Sequence, residues 1–253
     1  MNQIHKEVYG QGKTIVLIHG WAMHTGIWRK FAKQLAKNYR VVCLDLPGHG
    51  LSKTVQPYCL ESVAKALIDV VDEPTFAVLG WSLGASVAIA LANQYPQRVK
   101  ALILMAGNPR FTSDDGWSGV RPELLQDFAA NLQNNCQATL MRFLALQVNS
   151  LPNAKGLLKE LRQEILSCEV PGETVLNSAL DILKTADLRD DLVSLECPVN
   201  IILGDKDALV PKQAGDDIQG IKPACELNII LGAGHVPFLS HQSEVIDTIN
   251  RFL

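Results

Sequence analysis

The residues best suited to covalent chemistry form the motif Gly80-Trp81-Ser82-Leu83-Gly84. The motif lies between the apolar run Thr75–Leu79 and the small-residue segment Leu83–Gln94, which predict a strand and a helix. A G-x-S-x-G sequence in this setting is typical of a sharp, strained turn that pushes the serine hydroxyl above a sheet. The turn also puts that hydroxyl at the positive end of the helix dipole. The sequence therefore predicts Ser82 as a covalent nucleophile.

A serine hydroxyl is a weak nucleophile until a base removes its proton, so a histidine must lie beside it. His235 occupies the glycine-flanked segment Gly232–Phe238, which follows the last predicted strand and can hold an imidazole over the nucleophile. His241 lies near the start of the closing helix and is expected to be a cap or surface residue. The sequence offers no comparable setting for three other histidines, His5, His24 and His49.

The base needs a carboxylate to hold its tautomer and to stabilise the imidazolium. Asp205 and Asp207 compete for this role in Gly204–Pro211, directly after a predicted strand. Asp207 is the better candidate, because an aspartate immediately after Gly204 most often bonds its own backbone. The chain order serine, aspartate, histidine is also the order expected of a nucleophile placed on a strand–turn–helix motif.

Donors for an oxyanion are predicted in the segment His19-Gly20-Trp21, which follows the strand-like run Thr14–Ile18. The backbone N–H groups of Trp21 and Leu83 are the expected pair. His19 is expected to tie this loop down by hydrogen bonds and not to act as a base. Trp21 and Trp81 flank the nucleophile, so at least one is expected to line an acyl pocket; the alternative is that both are ordinary core aromatics.

The elements that must position these residues alternate along the chain, which indicates an α/β fold with a mostly parallel sheet and helices on both faces. The predicted strands are Thr14–Ile18, Arg40–Leu44, Thr75–Leu79, Val99–Met105, Val199–Leu203 and Glu226–Leu231. The predicted core helices are Ile27–Lys37, Leu60–Val71, Leu83–Gln94, Lys212–Gln219 and Ser243–Leu253. Residues 109–188 show only helical periodicity, in Leu124–Leu132, Ala138–Leu146 and Ala154–Leu166. We therefore predict a helical cap at 109–188 inserted into a core made of residues 1–108 and 189–253.

Composition narrows the classes of function. The chain of 253 residues is 47% hydrophobic and 19% charged, with a net charge of −3, so nothing attracts it as a whole to nucleic acid or to an anionic membrane. We expect no signal peptide and no membrane span, and hence a cytoplasmic protein. We also expect it to be a monomer. The scattered cysteines are expected to be free thiols without a zinc site. The predicted chemistry needs no metal and no organic cofactor.

With these motifs placed, the whole chain resembles the α/β-hydrolase superfamily, to which Asp45–Ser52 adds a D-x-P-G-x-G-x-S loop. Within it, Arg142–Gln147, Leu183–Arg189 and His235–His241 resemble the pimeloyl-[acyl-carrier protein] methyl ester esterases of biotin synthesis. The resemblance implies hydrolysis of a methyl ester on a pimeloyl chain that acyl carrier protein carries. It also implies substrate contacts at Trp21, Ser82, Leu83, Phe143, Leu144, Ala145, Leu146, Gln147 and His235.

The predicted cap carries a local excess of basic residues. Lys155, Lys159 and Arg162 are spaced i, i+4, i+7 and share one helix face, and Arg142 lies on the preceding helix. Glu160 is the single acidic residue from 137 to 163. A basic face suits docking of an acidic carrier protein; the alternative is an ordinary solvated face.

Other functions remain open to the same residues. A broad carboxylesterase, a C–C bond hydrolase and a cofactor-free haloperoxidase share the triad, whereas dehalogenases and epoxide hydrolases use an aspartate at the position of Ser82. A ligand receptor on the same scaffold is the alternative outside the enzymes, and labelling of Ser82 by a fluorophosphonate would distinguish it.

Overall fold

The computed structural model describes residues 4–149 and 151–253. Within these ranges the chain has seven strands: β1 (Lys6–Tyr9), β2 (Thr14–Ile18), β3 (Arg40–Leu44), β4 (Phe76–Trp81), β5 (Val99–Met105), β6 (Val199–Gly204) and β7 (Glu226–Ile230). They form one sheet in the order β1-β3-β2-β4-β5-β6-β7. β1 pairs antiparallel with β3, and every other pair is parallel. The prediction of a mostly parallel α/β sheet is confirmed.

The central strands are buried on both faces, as the near-continuous apolar runs predicted. All five residues of β2 and all six of both β4 and β6 are buried. β7 at the sheet edge is only partly buried. The chain moves from β2 outward to β3 and then crosses back to β4 on the other side of β2. The loops that leave the carboxyl ends of β2 and β4 therefore diverge. Open α/β sheets form their binding crevices between loops that diverge in this way.

Helices cover both faces of this sheet. Those of the core are α1 (Arg29–Leu35), α2 (Leu60–Ile68), α3 (Leu83–Gln94), α8 (Arg189–Ser194), α9 (Gln213–Ile221), α10 (Pro237–Ser240) and α11 (Gln242–Phe252). A short 3₁₀ helix, Thr25–Trp28, precedes α1. Residues 83–92 of α3 are buried without exception, which explains why the segment is built from small and apolar side chains.

Among the described residues, four helices lie between β5 and α8, in the interval where the sequence predicts an inserted cap. They are α4 (Pro122–Asn134), α5 (Cys136–Leu146), α6 (Ala154–Ile165) and α7 (Glu173–Thr185). The three helices predicted there are confirmed as α4, α5 and α6. We call α4–α7 with their connections, residues 122–185, the cap helices. The boundaries of a separate subdomain at 109–188 stay a prediction, and residues 1–3 and 150 of the predicted ranges lie outside the described residues.

Three further findings bear on the functional classes considered above. No helix in residues 4–149 and 151–253 is long and apolar enough to cross a membrane. In the same residues no group of three or more histidine, cysteine or carboxylate side chains could hold a metal ion. All six cysteines of the chain carry free thiols.

Candidate active site

Ser82 lies in the turn between β4 and α3, with φ 56° and ψ −119°. Two glycines make that turn sterically feasible. A Cβ on Gly80 would lie 2.1 Å from the carbonyl oxygen of Gly84, and one on Gly84 would lie 2.3 Å from the carbonyl oxygen of Ile18. Strand, turn and helix therefore approach so closely that only hydrogen fits at either position. The hydroxyl occupies the N-cap position of α3, where the helix dipole favours negative charge.

A continuous hydrogen-bonded chain links the three side chains predicted as a triad. Ser82 Oγ lies 2.9 Å from His235 Nε2, and His235 Nδ1 lies 2.8 Å from Asp207 Oδ2. Because a carboxylate can only accept, Nδ1 carries the proton and Nε2 is free to accept the proton of the serine hydroxyl. The side chains of His235 and Asp207 are fully buried. The arrangement has the geometry of a nucleophile, a general base and an orienting carboxylate.

The two aspartates after β6 have different functions in the structure. Asp207 Oδ1 accepts the N–H groups of Leu209 and Val210 at 2.8 and 3.0 Å, which leaves Oδ2 for the imidazole. Asp205 Oδ1 accepts the N–H of Gly232 at 2.6 Å and so joins the loops that follow β6 and β7. The expectation that Asp205 bonds its own turn was wrong, because the facing loop supplies a better donor. The turn bonds expected of Asp205 are made by Asp207.

The predicted oxyanion donors face the nucleophile from two elements. Leu83 is the first residue of α3, so its N–H has no partner inside the helix. The loop after β2 approaches the serine closely, since a Cβ on Gly20 would lie 3.2 Å from Ser82 Cβ. Among the described residues, neither the Trp21 nor the Leu83 amide donates a hydrogen bond. Two unpaired N–H groups beside a serine can stabilise the negative oxygen of a tetrahedral intermediate.

The family profile described as alpha/beta hydrolase fold matches residues 13–242 of this sequence. The chain belongs to the α/β-hydrolase family. A pimeloyl-[acyl-carrier protein] methyl ester esterase from Methylococcus capsulatus is 40% identical to this hydrolase over 247 residues, which cover 98% of this chain and 97% of the relative. A protein of the same name from Photobacterium profundum is 37% identical and covers 96% of each chain.

Solved structures share the fold of this hydrolase. An esterase from Exiguobacterium antarcticum superimposes with a TM-score of 0.89 at 21% identity and covers 98% of this chain and 94% of its own. A thermophilic esterase from Thermogutta terrifontis, solved with malate bound, has a TM-score of 0.83 at 25% identity and covers 98% and 92%. At such identities the likeness concerns the fold of the hydrolase.

Within the described residues, three non-glycine residues have positive φ, namely Ser82 and two residues near it. They are Ala22 at 62°, Ser82 at 56° and Ala106 at 45°. Ala22 lies in the loop after β2, and Ala106 follows β5 and precedes Gly107, where a Cβ would lie 3.2 Å from the carbonyl oxygen of Ser82. Strained backbone of this kind costs about 1–3 kcal/mol per residue and persists where the surrounding packing enforces it. The strain is concentrated where three strands, β2, β4 and β5, end at the site.

His19, in the loop after β2, and His49, in the loop after β3, are both buried. His19 Nδ1 lies 2.8 Å from the Gly20 carbonyl oxygen, and its Nε2 accepts the N–H of Leu46 at 2.9 Å. Burial lowers the pKa of both imidazoles to about 3, so both are neutral. His19 thus ties the loop after β2 to the loop after β3, in agreement with its expected role in holding the loop.

The two tryptophans flanking the site occupy different environments. Trp81 is fully buried, donates its indole N–H to the His235 carbonyl oxygen at 2.7 Å, and packs edge-on against Trp28 and Phe238. Trp81 is therefore a core residue that supports the histidine loop. Trp21 instead faces the cap helices, where its indole N–H donates to the Leu176 carbonyl oxygen at 2.9 Å and its ring packs edge-on against Phe143.

The cap helices lie directly over the triad. The carbonyl oxygen of Gln147, immediately after α5, accepts the backbone N–H of His235 at 3.2 Å. Ser82 is only 2% exposed, and His235 is fully buried. Sequence reasoning missed the Leu176 and Gln147 carbonyl contacts, because backbone acceptors leave no signature in residue type.

The remaining predicted site residues divide between the interior and the surface of the cap helices. Phe143, Leu144 and Gln147 are buried, whereas Ala145 and Leu146 are half-buried. The predicted docking residues Arg142, Lys155, Lys159 and Arg162 are all exposed. Arg142 lies over the ring of Phe128, 5.9 Å from its centroid. The histidines predicted to lie outside the triad make other contacts, including His24 with the Glu164 carbonyl oxygen and His241 with Ser240.

Proposed function

We propose that this hydrolase cleaves the methyl ester of a pimeloyl chain carried by acyl carrier protein, giving the free carboxylate and methanol. The observation that carries the catalytic part is the chain of hydrogen bonds from Ser82 through His235 to Asp207, at 2.9 and 2.8 Å. The substrate is supported by relatives 34–40% identical over nearly the whole chain, each named for this activity.

The reaction proceeds through an acyl-enzyme. Ser82 Oγ attacks the ester carbonyl carbon while His235 Nε2 takes the hydroxyl proton, and the Trp21 and Leu83 amides donate to the oxyanion. Collapse of the tetrahedral intermediate breaks the bond to methoxide, which leaves as methanol with the proton from His235. Water then attacks the acyl carbon as the same imidazole takes a water proton. The bond between the acyl carbon and Ser82 Oγ breaks, His235 returns the proton to Oγ, and the free acid leaves. Apart from the ester and the water molecule, every group in this cycle belongs to the described residues.

Gln147 supports the proposal that residues 143–147 contact the substrate. Its side chain is 2% exposed, and both amide atoms lack a partner among the described residues. An unpaired buried amide costs about 1–3 kcal/mol, which a polar atom of the substrate would recover. Its backbone oxygen bonds the His235 amide, so the residue lies next to the reacting groups.

The exposed basic residues of the cap helices are proposed to dock the carrier. Lys155, Lys159 and Arg162 form no ion pair within the described residues, whereas the neighbouring Glu160 pairs with Lys30 of the core at 2.7 Å. The positive face of α6 is therefore not neutralised by Glu160 of the same helix. Opposite charge on the carrier would speed association and set its orientation.

The first test replaces the nucleophile. Ser82→Ala should lower kcat on the carrier-bound ester by about 10⁶-fold, because the attack has no covalent substitute. The unfolding midpoint should stay near that of the wild type, since the hydroxyl bonds only the catalytic imidazole among the described residues.

Complementation tests the substrate separately. The wild-type gene should restore growth without biotin to a strain lacking its pimeloyl methyl ester esterase, and the Ser82→Ala gene should not. Near-normal turnover by the alanine variant would contradict the role of Ser82. Turnover of small esters without complementation would contradict the substrate assignment and favour a broad carboxylesterase.

A further inference from the structure

The backbone of His235 lies outside regular secondary structure. β7 ends at Ile230 and α10 begins at Pro237, so the residue belongs to neither element. Its N–H donates to the Gln147 carbonyl oxygen at 3.2 Å. No backbone N–H of the described residues donates to its carbonyl oxygen. The place of the imidazole therefore depends on what else holds that oxygen.

The indole of Trp81 holds the His235 carbonyl oxygen. Its Nε1–H donates to that oxygen at 2.7 Å, at the short end of the range for such bonds. Both residues are fully buried, so water does not compete for either group. Because Trp81 and Ser82 are consecutive, the bond joins the backbone that carries the nucleophile to the backbone that carries the base. It is a second link between them, independent of the one from Ser82 Oγ to His235 Nε2.

The ring of Trp81 is itself held in place by packing. A Cβ on Gly20, in the loop after β2, would lie 3.2 Å from Cε3 of the ring and 3.3 Å from Cζ3. The ring also packs edge-on against Phe238 of α10, with 5.0 Å between centroids. Contacts with both elements restrict the rotamer of the indole, so its N–H has a fixed direction before it meets the histidine segment.

We propose that Trp81 is a positioning residue for the general base: its indole N–H, and not the bulk of its ring, places His235 against Ser82. This role rests on the serine-hydrolase function proposed above. A base must lie within hydrogen-bond reach of the proton that it removes. A misplacement of about 1 Å can lower the rate about 10²-fold. Asp207 fixes the rotation of the imidazole, and Trp81 fixes the backbone from which the imidazole extends.

Trp28 offers a matched control in the same aromatic cluster. Its ring lies 6.0 Å from that of Trp81 and 4.5 Å from that of Phe238, between centroids. Trp28 is fully buried as well, but its Nε1 has no hydrogen-bond partner among the described residues. Trp28→Phe and Trp81→Phe therefore remove the same atoms from one cluster, and only the second removes a hydrogen bond.

The test measures hydrolysis of p-nitrophenyl acetate and the rate at which a fluorophosphonate labels Ser82. Trp81→Phe should lower kcat about tenfold, the rate equivalent of one net hydrogen bond. KM should stay near that of the wild type, because His235 serves both formation and hydrolysis of the acyl-enzyme and both steps slow together. Labelling should slow by a similar factor and still reach completion, since every folded molecule keeps a complete triad. Trp28→Phe should match the wild type in both measurements.

A second variant separates the N–H of Trp81 from the packing of its ring. Benzothienylalanine at position 81 has a ring of the size of indole with sulfur in place of the N–H group. The cluster around Trp28 and Phe238 stays filled, so the fold is preserved. This variant should lose kcat and labelling rate as Trp81→Phe does.

Three results would overturn the role of Trp81. Wild-type rates with benzothienylalanine at position 81 would contradict positioning by the N–H. Equal losses in Trp28→Phe and Trp81→Phe would assign the effect to ring packing. Incomplete labelling at an unchanged rate in both variants at position 81 would indicate partial unfolding.

Ser82→Ala separates this role from the function on which it rests. If Ser82→Ala hydrolysed p-nitrophenyl acetate as the wild type does, the proposed function would fail and the role of Trp81 with it. Normal rates in both variants at position 81, beside an inactive Ser82→Ala, would overturn the role of Trp81 alone.

Discussion

His19 and His49 show how burial fixes a protonation state next to a catalytic loop. Their rings lie 5.4 Å apart between centroids, and each Nδ1 faces a backbone carbonyl oxygen, that of Gly20 or Pro47. A carbonyl can only accept, so each Nδ1 carries the ring proton and a second proton would go to a buried Nε2. Desolvation is the main cause that lowers the pKa of both rings to about 3.

These two rings make the free energy of unfolding depend on pH. The unfolded chain binds protons at both histidines below pH 6.5, whereas the folded chain does not until about pH 3. The unfolded state binds more protons in that window. The two histidines therefore contribute their whole stabilisation above pH 6.5, and the free energy of unfolding falls as the pH is lowered below that value. His49→Gln removes one of the two groups. Between pH 6.5 and 4.5 its free energy of unfolding should fall less steeply than that of the wild type. The two slopes should differ by about 1 kcal/mol per pH unit.

Urea titrations at several pH values would measure this slope. Equal slopes for His49→Gln and the wild type would show that His49 is not held neutral in the folded state.

At the residue scale, sequence reasoning succeeds where chemistry restricts the residue type. A nucleophile, a base and an acid each admit few side chains, so Ser82, Asp207 and His235 are predictable, and the structure brings them together. Asp205 was misread because its partner, the Gly232 amide, is 27 residues away. The residues next to Asp205 in the sequence do not indicate a hydrogen-bond partner so far along the chain.

At the scale of elements, the junction of β2, β4 and α3 is the tightest part of the site. A Cβ on Gly84 would lie 2.3 Å from the Ile18 carbonyl oxygen and 2.7 Å from that of His19. Both atoms are backbone, so a methyl group can be accommodated only if α3 moves away from β2. Such a movement would separate the Leu83 amide on α3 from the Trp21 amide on the loop after β2.

Gly84→Ala should therefore lose stability and activity together. We expect the free energy of unfolding to fall by about 2–4 kcal/mol and kcat to fall by about 10²-fold through displacement of an oxyanion donor. Gly220→Ala in α9 is the matched control, because a Cβ there meets nothing within 4 Å. It should raise stability by about 0.5–1 kcal/mol without changing kcat. Near-normal values for Gly84→Ala would contradict the close packing of α3 on β2.

The sequence predicts those elements of the fold whose burial is evident from a run or a periodic pattern of apolar residues. The strands β2 to β6 are apolar runs, and burial on both faces makes them recognisable. β1 escaped prediction because its four residues, Lys6–Tyr9, are largely polar and become a strand only by pairing with β3. α7 is absent from the predicted helices although Leu176, Ala179, Leu180 and Leu183 follow helical spacing and are buried.

At the scale of the whole molecule, net charge conceals the local charge that matters. The chain carries −3 overall, yet the outer face of α6 presents Lys155, Lys159 and Arg162. A carrier attracted to this face would respond to ionic strength within about a Debye length, roughly 8 Å at physiological salt. A small neutral ester would not respond.

Salt dependence therefore distinguishes docking from catalysis. Raising NaCl should lower kcat/KM on the carrier-bound ester and leave that on p-nitrophenyl acetate constant. A variant with alanine at Lys155, Lys159 and Arg162 should show lower kcat/KM on the carrier-bound ester at low salt and a flatter salt profile. The control replaces Lys33, Lys37 and Lys100, which are exposed on the core. Equal salt profiles for the two substrates would contradict docking through α6.

The cap helices hold His235 and the loop after β2 through backbone acceptors. The Leu176 carbonyl oxygen fixes the Trp21 indole, and the Gln147 carbonyl oxygen fixes the His235 amide. In this protein, exchanging residues 122–185 for those of another hydrolase would alter the alignment of His235 and of the loop after β2 as well as the choice of substrate. Substrate specificity and turnover therefore cannot be changed independently in this protein. Directed evolution of a new specificity must preserve or restore the hydrogen bonds from the Leu176 and Gln147 carbonyl oxygens.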